Sequence, residues 1–307
     1  MTKVLIATEK PFAKIAQDGI KEIFDKAGFE TWFSEPKESY ELISFLQDVN
    51  PDAMIIRSDK ATKEVIEAGK NLKIIVRAGA GYDNIDLAAA TAKGIVAMNT
   101  PGQNSNAVAE LAAGMMVFMA RAQFKGGSGS ELKGKKLGLH AYGHVPKMLA
   151  NIAKGFGMEV YAFDPFVPEA NITKDGVKVV KNIEELYSTC HYVSLHIPAN
   201  DKTKKSINFD LMSKMPKGGT IVNTARKEVM DEGCLKKMLE ERPDFKYISD
   251  IAPECHADLL KYENRYYSTP KKQGAETSEA NINAGLAAAN QIVNFIKKGD
   301  KTFQVNK

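Results

Sequence analysis

The strongest constraint on this chain is an alternation. Short, wholly apolar runs recur along it, and longer amphipathic stretches separate them. Val4-Leu5-Ile6-Ala7, Ala53-Met54-Ile55-Ile56, Ile74-Ile75-Val76 and Ile95-Val96-Ala97-Met98 are the first four. A run with no polar face must be buried on both sides, which is the state of a strand inside a parallel sheet. After the first of them, residues 12–27 read as a helix with Ile15, Ile20, Ile23 and Phe24 on one face. A long helix at about 106–121 and the flexible Gly126-Gly127-Ser128-Gly129-Ser130 turn lead into a second series. Its strands are Leu137-Gly138-Leu139-His140, Val160-Tyr161-Ala162-Phe163, Tyr192-Val193-Ser194-Leu195, Thr220-Ile221-Val222-Asn223 and Tyr247-Ile248-Ser249-Asp250. A helix of about 279–298 follows near the end. The expected fold class is α/β, with two doubly wound parallel-sheet domains.

At 307 residues the chain has room for two such domains, and its 44% hydrophobic content supplies a core for each. The formal net charge is +4, with lysines and arginines scattered rather than clustered. That pattern gives no reason to expect nucleic acid or a membrane surface as partner, and it suits a small anionic ligand. Cys190, Cys234 and Cys255 follow neither a disulfide nor a metal spacing, so no metal is expected and a reducing, cytoplasmic setting fits. No apolar stretch approaches the ~18 residues of a membrane span. The N terminus opens on a strand, with no signal peptide expected.

The second series begins with Leu139-His140-Ala141-Tyr142-Gly143-His144-Val145-Pro146. A dinucleotide site needs a strand, a tight glycine-rich turn, and a helix whose first amides face the pyrophosphate. In the G-x-G-x-x-G pattern the glycine positions are here Ala141, Gly143 and Pro146. The retained Gly143 is where the backbone must approach the phosphates, and Pro146 falls in the first helical turn, where its missing N–H costs little. Tyr142, Gly143, His144 and Val145 are the candidate contacts. A plain strand–turn–helix could carry the same residues. Asp164 argues against that, because it ends the next strand about 20 residues on, where a carboxylate accepts from ribose hydroxyls. It would repel a 2′-phosphate, so the expected cofactor is NAD rather than NADP.

Asn223-Thr224-Ala225-Arg226 ends another strand of this series. In open α/β sheets ligands bind beyond the carboxyl ends of strands, and an arginine there offers a planar fork for a carboxylate. Asp250-Ile251-Ala252-Pro253-Glu254 and Thr269-Pro270-Lys271-Lys272-Gln273-Gly274-Ala275 follow further strands. An acid, an arginine and an amine or imidazole could converge in one crevice, an acid–base set suited to hydride transfer.

Taken with three further segments, these residues resemble the D-2-hydroxyacid dehydrogenase family, and its phosphoglycerate dehydrogenase branch in particular. The segments are Arg77-Ala78-Gly79-Ala80-Gly81-Tyr82-Asp83-Asn84-Ile85-Asp86, Asn99-Thr100-Pro101-Gly102-Gln103-Asn104-Ser105 with Val108-Ala109-Glu110, and Ser194-Leu195-His196-Ile197-Pro198. The resemblance covers nearly the whole chain. It implies a flavodoxin-like substrate domain from residues 1–98 and 280–307, a Rossmann-like NAD-binding domain from residues 99–279, and a cleft between them. It also implies a homodimer through the NAD-binding domain, and a short form without the serine-sensing domain of longer relatives. His196, Pro198, Thr224, Ala225 and Asp250 would join the cofactor contacts. Arg57, Ser58, Ala78, Gly79, Ala80 and Asn104 would bind the substrate, with Arg57-Ser58-Asp59-Lys60 similar to the phosphoglycerate branch. The implied reaction is NAD-dependent oxidation of D-3-phosphoglycerate to 3-phosphohydroxypyruvate, the first step of serine biosynthesis. The alternatives are another 2-hydroxy or 2-keto acid, such as hydroxypyruvate or glyoxylate, and a non-catalytic protein that senses NAD.

One departure stands out. The family pattern has a histidine after Thr-Pro as its acid–base, paired with a glutamate, and none of the five histidines is there. Alignment back from Gly274-Ala275 puts Lys272 on that position, similar to a lysine-type branch, with Lys271 as runner-up and His256 as the rival histidine. Arg226, Glu254 and Lys272 are therefore the expected catalytic residues, with the glutamate displaced by one position. Burial, Arg226 and the nicotinamide charge would lower the lysine's pKa, and an ion pair with Glu254 would raise it.

Overall fold

The computed structural model describes residues 1–307. The chain forms two compact units, Met1–Asn104 with Glu276–Lys307, and Ser105–Ala275. Residues 99–104 and 276–279 therefore go with the first unit.

In the first unit, β1 (Lys3–Ala7), β2 (Glu30–Ser34), β3 (Ala53–Ile56), β4 (Ile74–Arg77) and β5 (Val96–Asn99) form one five-stranded sheet in the order β2-β1-β3-β4-β5. Every pairing is parallel. This is the flavodoxin-like strand order. α1 (Lys14–Ala27) and α12 (Ser278–Lys298) cover one face through Ala16, Ile20, Phe24, Ala284, Ala288 and Ile292. α2 (Ser39–Val49), α3 (Lys63–Ala68) and α4 (Leu87–Ala92) cover the other through Leu42, Leu46, Val65, Ile66 and Ala90.

Two local readings differ from the sequence expectation. β2 was not expected, because Glu30-Thr31-Trp32-Phe33-Ser34 lies at the sheet edge and keeps Trp32 and Phe33 exposed, so it lacks an apolar run. Ile15 is 66% exposed, and the buried stripe of α1 is Ala16, Ile20 and Phe24. The helix begins at Lys14, and Phe12, just before it, is buried beside that stripe. α1 and α12 approach closely over small residues. A Cβ on Gly19 would lie 2.7 Å from Leu286 Cδ2, and one on Gly285 would lie 3.0 Å from Ile20 Cδ1 and Phe12 Cε1.

A short C-terminal segment closes the β5 edge of this sheet. Gln304 bridges Met98 in antiparallel fashion. The Asn306 side chain accepts from Ala97 N–H at 2.8 Å and donates to Ile95 O at 2.8 Å, which satisfies edge groups that would otherwise be left unpaired.

The second unit opens with α5 (Ser105–Ala120) and carries a seven-stranded sheet in the order β12-β11-β10-β9-β6-β7-β8. Its strands are β6 (Lys136–His140), β7 (Glu159–Phe163), β8 (Lys178–Val179), β9 (Tyr192–Leu195), β10 (Thr220–Asn223), β11 (Lys246–Ser249) and β12 (Tyr266–Ser268). All pairs are parallel. The order reverses at β6, between β7 and β9, which is the switch point where doubly wound sheets bind ligands. α6 (His144–Gly155) packs with α5 on one face around Met116, Leu149 and Ala150. α8 (Ile183–Thr189), α9 (Phe209–Ser213) and α10 (Glu232–Glu241) cover the other around Leu186, Met212 and Leu235. α7 (Glu169–Thr173) precedes β8, and α11 (His256–Leu259) precedes β12. No helix is long and apolar enough to cross a membrane.

Asn306→Ala removes one acceptor and one donor from the β5 edge, together with a contact to Thr91 Oγ1 in α4. Buried backbone groups left without partners cost about 1–3 kcal/mol. An unfolding free energy from urea titration lowered by that amount is the expected result, and an unchanged value would mean that water replaces the side chain.

Candidate active site

The turn after β6 is built for a ligand with phosphates. His140 ends the strand, and Ala141 takes φ +84°, a conformation that glycine adopts freely and alanine adopts at a cost. The turn is pinned by Asp164, whose Oδ2 accepts from Tyr142 N–H at 2.8 Å and whose Oδ1 accepts from Phe166 N–H at 2.8 Å. Each oxygen keeps a lone pair for a further donor, as a ribose diol requires. Gly143 caps α6, and no side chain caps the helix. A Cβ at Gly143 would meet nothing within 4 Å, so open space lies where a phosphate would approach the first amides, His144 and Val145.

The neighbouring strand ends hold buried polar atoms with no protein partner: Ser194 Oγ, His196 Nε2 and Thr224 Oγ1. Orphaned groups of this kind at the carboxyl edge of a sheet fit a bound polar ligand. Pro198 is exposed, beyond His196. His140 and His196 are both held neutral. Burial pushes His140 down to about 4 against the opposing charge of Asp164, and burial and then His140 push His196 down to about 3. His140 Nδ1 meets Tyr187 OH at 3.3 Å.

The ends of β10 and β11 gather the reactive groups. Asn223 organises the loop after β10: its Oδ1 accepts from Ala225 N–H at 3.0 Å and its Nδ2 donates to Arg226 O at 3.1 Å. Arg226 Nη1 donates to Ala225 O at 3.2 Å. Lys272 Nζ reaches the same loop, 2.7 Å from Ala225 O and 3.4 Å from Thr224 O, and lies 3.4 Å from Asp250 Oδ1. Burial lowers the Lys272 pKa, Asp250 opposes that shift, and Arg226 adds to it. Burial raises the Asp250 pKa, with Lys272 opposing.

Arg226, Lys272 and Asp250 are thus brought together, and Glu254 is not. Its carboxylate pairs with Lys227 and is 77% exposed. Its backbone N–H donates to Glu232 Oε1 at 2.9 Å, which turns the loop toward α10. The one-residue displacement in the sequence is the physical signal of this. Lys271 is exposed, and its carbonyl accepts from Thr269 Oγ1. His256 spends Nδ1 on Tyr266 OH at 2.6 Å. No group of three or more His, Cys, Asp or Glu side chains is placed to hold a metal.

The first unit supplies a cationic loop cluster. Arg57 lies over the Phe12 ring at 5.2 Å and donates to Lys10 O at 3.0 Å and Asn281 Oδ1 at 2.5 Å. Ser58 beside it is exposed. Arg77 Nε donates to Arg57 O at 3.0 Å, and its guanidinium crosses Gly79 so closely that a Cβ there would lie 1.5 Å from Nη1. Gly79 also takes φ +153°, so glycine is required twice over. Ala78 N–H and Ala80 O are held by Ile56 and Asn99, and Asn104 is half-buried at the unit boundary. Arg57 is legible in the sequence as a candidate, and Arg77 is visible there only as the first residue of the Arg77–Asp86 segment; nothing in the sequence relates Asn281 to Arg57.

A profile of the D-isomer specific 2-hydroxyacid dehydrogenase catalytic domain matches residues 5–306. The chain belongs to the D-isomer specific 2-hydroxyacid dehydrogenase family. The crystal structure of the NAD+-bound 3-phosphoglycerate dehydrogenase of Entamoeba histolytica superposes with a TM-score of 0.89 at 48% identity, covering 100% of this chain and 99% of that one. D-3-phosphoglycerate dehydrogenase of Methanocaldococcus jannaschii is 35% identical over 97% of this chain, which spans only 58% of that relative's length. Hydroxypyruvate reductase of Thermotoga maritima is 37% identical over 84% of this chain and 89% of its own. The two parallel-sheet units are the architecture of this dehydrogenase family.

The two depressed histidines make a pH prediction. Unfolded histidine takes a proton below about 6.5, and these folded ones resist until far lower. Their contribution is therefore complete above that value and is lost as pH falls toward 4. Each adds a slope of up to about 1.4 kcal/mol per pH unit. Urea unfolding between pH 7 and pH 4.5 should show this fall, shallower in His140→Gln; a slope the same in both proteins would count against it.

Proposed function

We propose that this family member is an NAD-dependent D-3-phosphoglycerate dehydrogenase with Lys272 as its acid–base. The observation that carries the reading is the convergence of Lys272 Nζ, Arg226 and Asp250 at the ends of β10 and β11. The similarity to the Entamoeba histolytica enzyme over the full length of both chains supports the substrate and cofactor.

The chemistry that NAD would supply when bound is a hydride acceptor for the substrate carbon. Tyr142, Gly143, His144 and Val145 would hold the pyrophosphate end at the α6 N terminus, and Asp164 would accept from the ribose hydroxyls. Arg226 pairs with the substrate carboxylate. Lys272, as the neutral amine, takes the hydroxyl proton during oxidation, and as the ammonium returns it in reduction. An ordinary lysine titrates near 10.4 and is a poor base at neutral pH. Burial and Arg226 pull Lys272 below that range, so a larger neutral fraction exists in mildly alkaline solution. Within the first unit, Arg57 and Arg77, whose guanidinium crosses Gly79, have a charge that would suit a phosphate group. The reading includes a cytoplasmic enzyme and a homodimer through the second unit, where Phe118 stacks edge-on with the exposed Phe124 and Tyr267. A second reading, reduction of hydroxypyruvate, is favoured by the match to the Thermotoga maritima reductase over 89% of its length.

The test is NADH formation from NAD and D-3-phosphoglycerate at pH 7 and pH 9. The rate should rise with pH. Lys272→Ala should lose about 10²–10⁴-fold in kcat, the usual contribution of a positioned acid–base. Loss of that size in Lys271→Ala instead would move the role by one residue. Silence with this substrate, and turnover of hydroxypyruvate with NADH, would favour the second reading.

A further inference from the structure

We propose that Asp250 is the positioning carboxylate of the acid–base lysine, in the place where the family pattern points to Glu254. The inference rests on the reading of Lys272 as the acid–base.

An ammonium has three N–H donors and needs acceptors for them when it is withdrawn from water. Lys272 finds three around Nζ: Ala225 O at 2.7 Å, Thr224 O at 3.4 Å and Asp250 Oδ1 at 3.4 Å. Only the last carries a charge. Asp250 is fully buried, whereas the Lys272 side chain is 39% exposed, so the carboxylate is the member wholly withdrawn from water. Two backbone contacts fix Asp250. Its own N–H donates to Asn223 O at 3.1 Å, and its Oδ2 accepts from Gly274 N–H at 3.0 Å. The carboxylate therefore spans the loop Lys272-Gln273-Gly274 and holds both ends of it. Gly274 is what allows this closure: a Cβ there would lie 2.8 Å from Asp250 Oδ2 and 3.3 Å from Val108 Cγ2.

Glu254 has no part in this arrangement. It pairs with Lys227 and lines a cavity of about 760 Å³ with Lys204, Lys205 and Asp231. Two further charges that act on Lys272 come from the segment after β10: Arg226, which opposes its ammonium form, and Glu228, which favours it. Arg226 and Lys272 are also the cations that act on Asp250. Burial moves the lysine down and the aspartate up, so the two approach each other and exchange influence as a coupled pair. In such a pair the carboxylate raises the pH at which the amine becomes a base, against the larger pull of burial.

The experiment is a proton titration read by NMR on the full chain with ¹³Cε-labelled lysine, in the presence of NAD. The Lys272 signal is assigned by its loss in Lys272→Met. In Asp250→Asn its midpoint should fall by about 1–3 pH units, as when a carboxylate neighbour is removed. In Glu254→Gln the midpoint should stay in place. The rising limb of the oxidation pH profile should move with the NMR midpoint. If Asp250→Asn does not fold, the reciprocal variant decides: in Lys272→Met, with ¹³C-labelled aspartate, the Asp250 carboxyl should titrate at higher pH than in the parent. A Lys272 midpoint that follows Glu254 and ignores Asp250, or an Asp250 midpoint indifferent to Lys272→Met, overturns the proposal. The NMR readout needs no turnover. A coupled pair in a chain that oxidises no 2-hydroxy acid would sink the functional reading and leave the pairing standing.

Discussion

Every strand in both sheets runs parallel to its neighbours, so backbone hydrogen bonding alone delivers all the carboxyl ends to one edge of each sheet. Parallel strands need crossovers, crossovers place helices on both faces, and the strands must then be apolar throughout. Polar side chains can enter such a layer only where a strand stops. Asp164, Asn223 and Asp250 occupy those stops in the second unit, as Arg77 does in the first. The direction of the chain thus gathers the charged groups at the carboxyl edge of each sheet.

Charge placement follows the same division. Surface pairs such as Lys21–Asp25 and Lys14–Asp18 join long, solvated side chains one helical turn apart and contribute little to stability. Asp250 is different because no water reaches it, and a buried carboxylate stripped of its cation is costly. Its cost is tolerated at a strand end where Lys272, Arg226 and a backbone N–H converge. The degraded glycine turn illustrates a similar tolerance. Ala141 carries the positive φ that glycine would adopt freely, and Asp164 anchors the turn through the Tyr142 N–H.

Sequence periodicity reached what depends on local pattern and missed what depends on partners. The apolar runs of β1, β3, β4 and β5 were legible because both faces are buried, and β2 was not, because an edge strand has no such obligation. Ile15 looked like a core residue by spacing, but the first turn of α1 turns it outward. At the site, Arg226 and Lys272 were legible from motif order. The partner of Lys272 was not, because Asp250 and Gly274 are joined by a hydrogen bond across 24 residues, and the family pattern drew attention to Glu254 instead. Asn281 is more distant still, reaching Arg57 over 224 residues.

The discontinuity of the first unit affects the order in which the molecule is made. Synthesis runs from the N terminus, and domains ordinarily fold as they emerge. Here the strands of the first sheet leave the ribosome early, but the helix that covers Ile20 and Phe24 is α12, which begins only at Ser278. The whole of Ser105–Ala275 must be translated in between. Throughout that interval the nascent chain carries an uncovered apolar face, while the later unit, continuous in sequence, has every element it needs as soon as Ala275 appears. The part made first is the part completed last, and that interval is where a chaperone would be most useful to this chain.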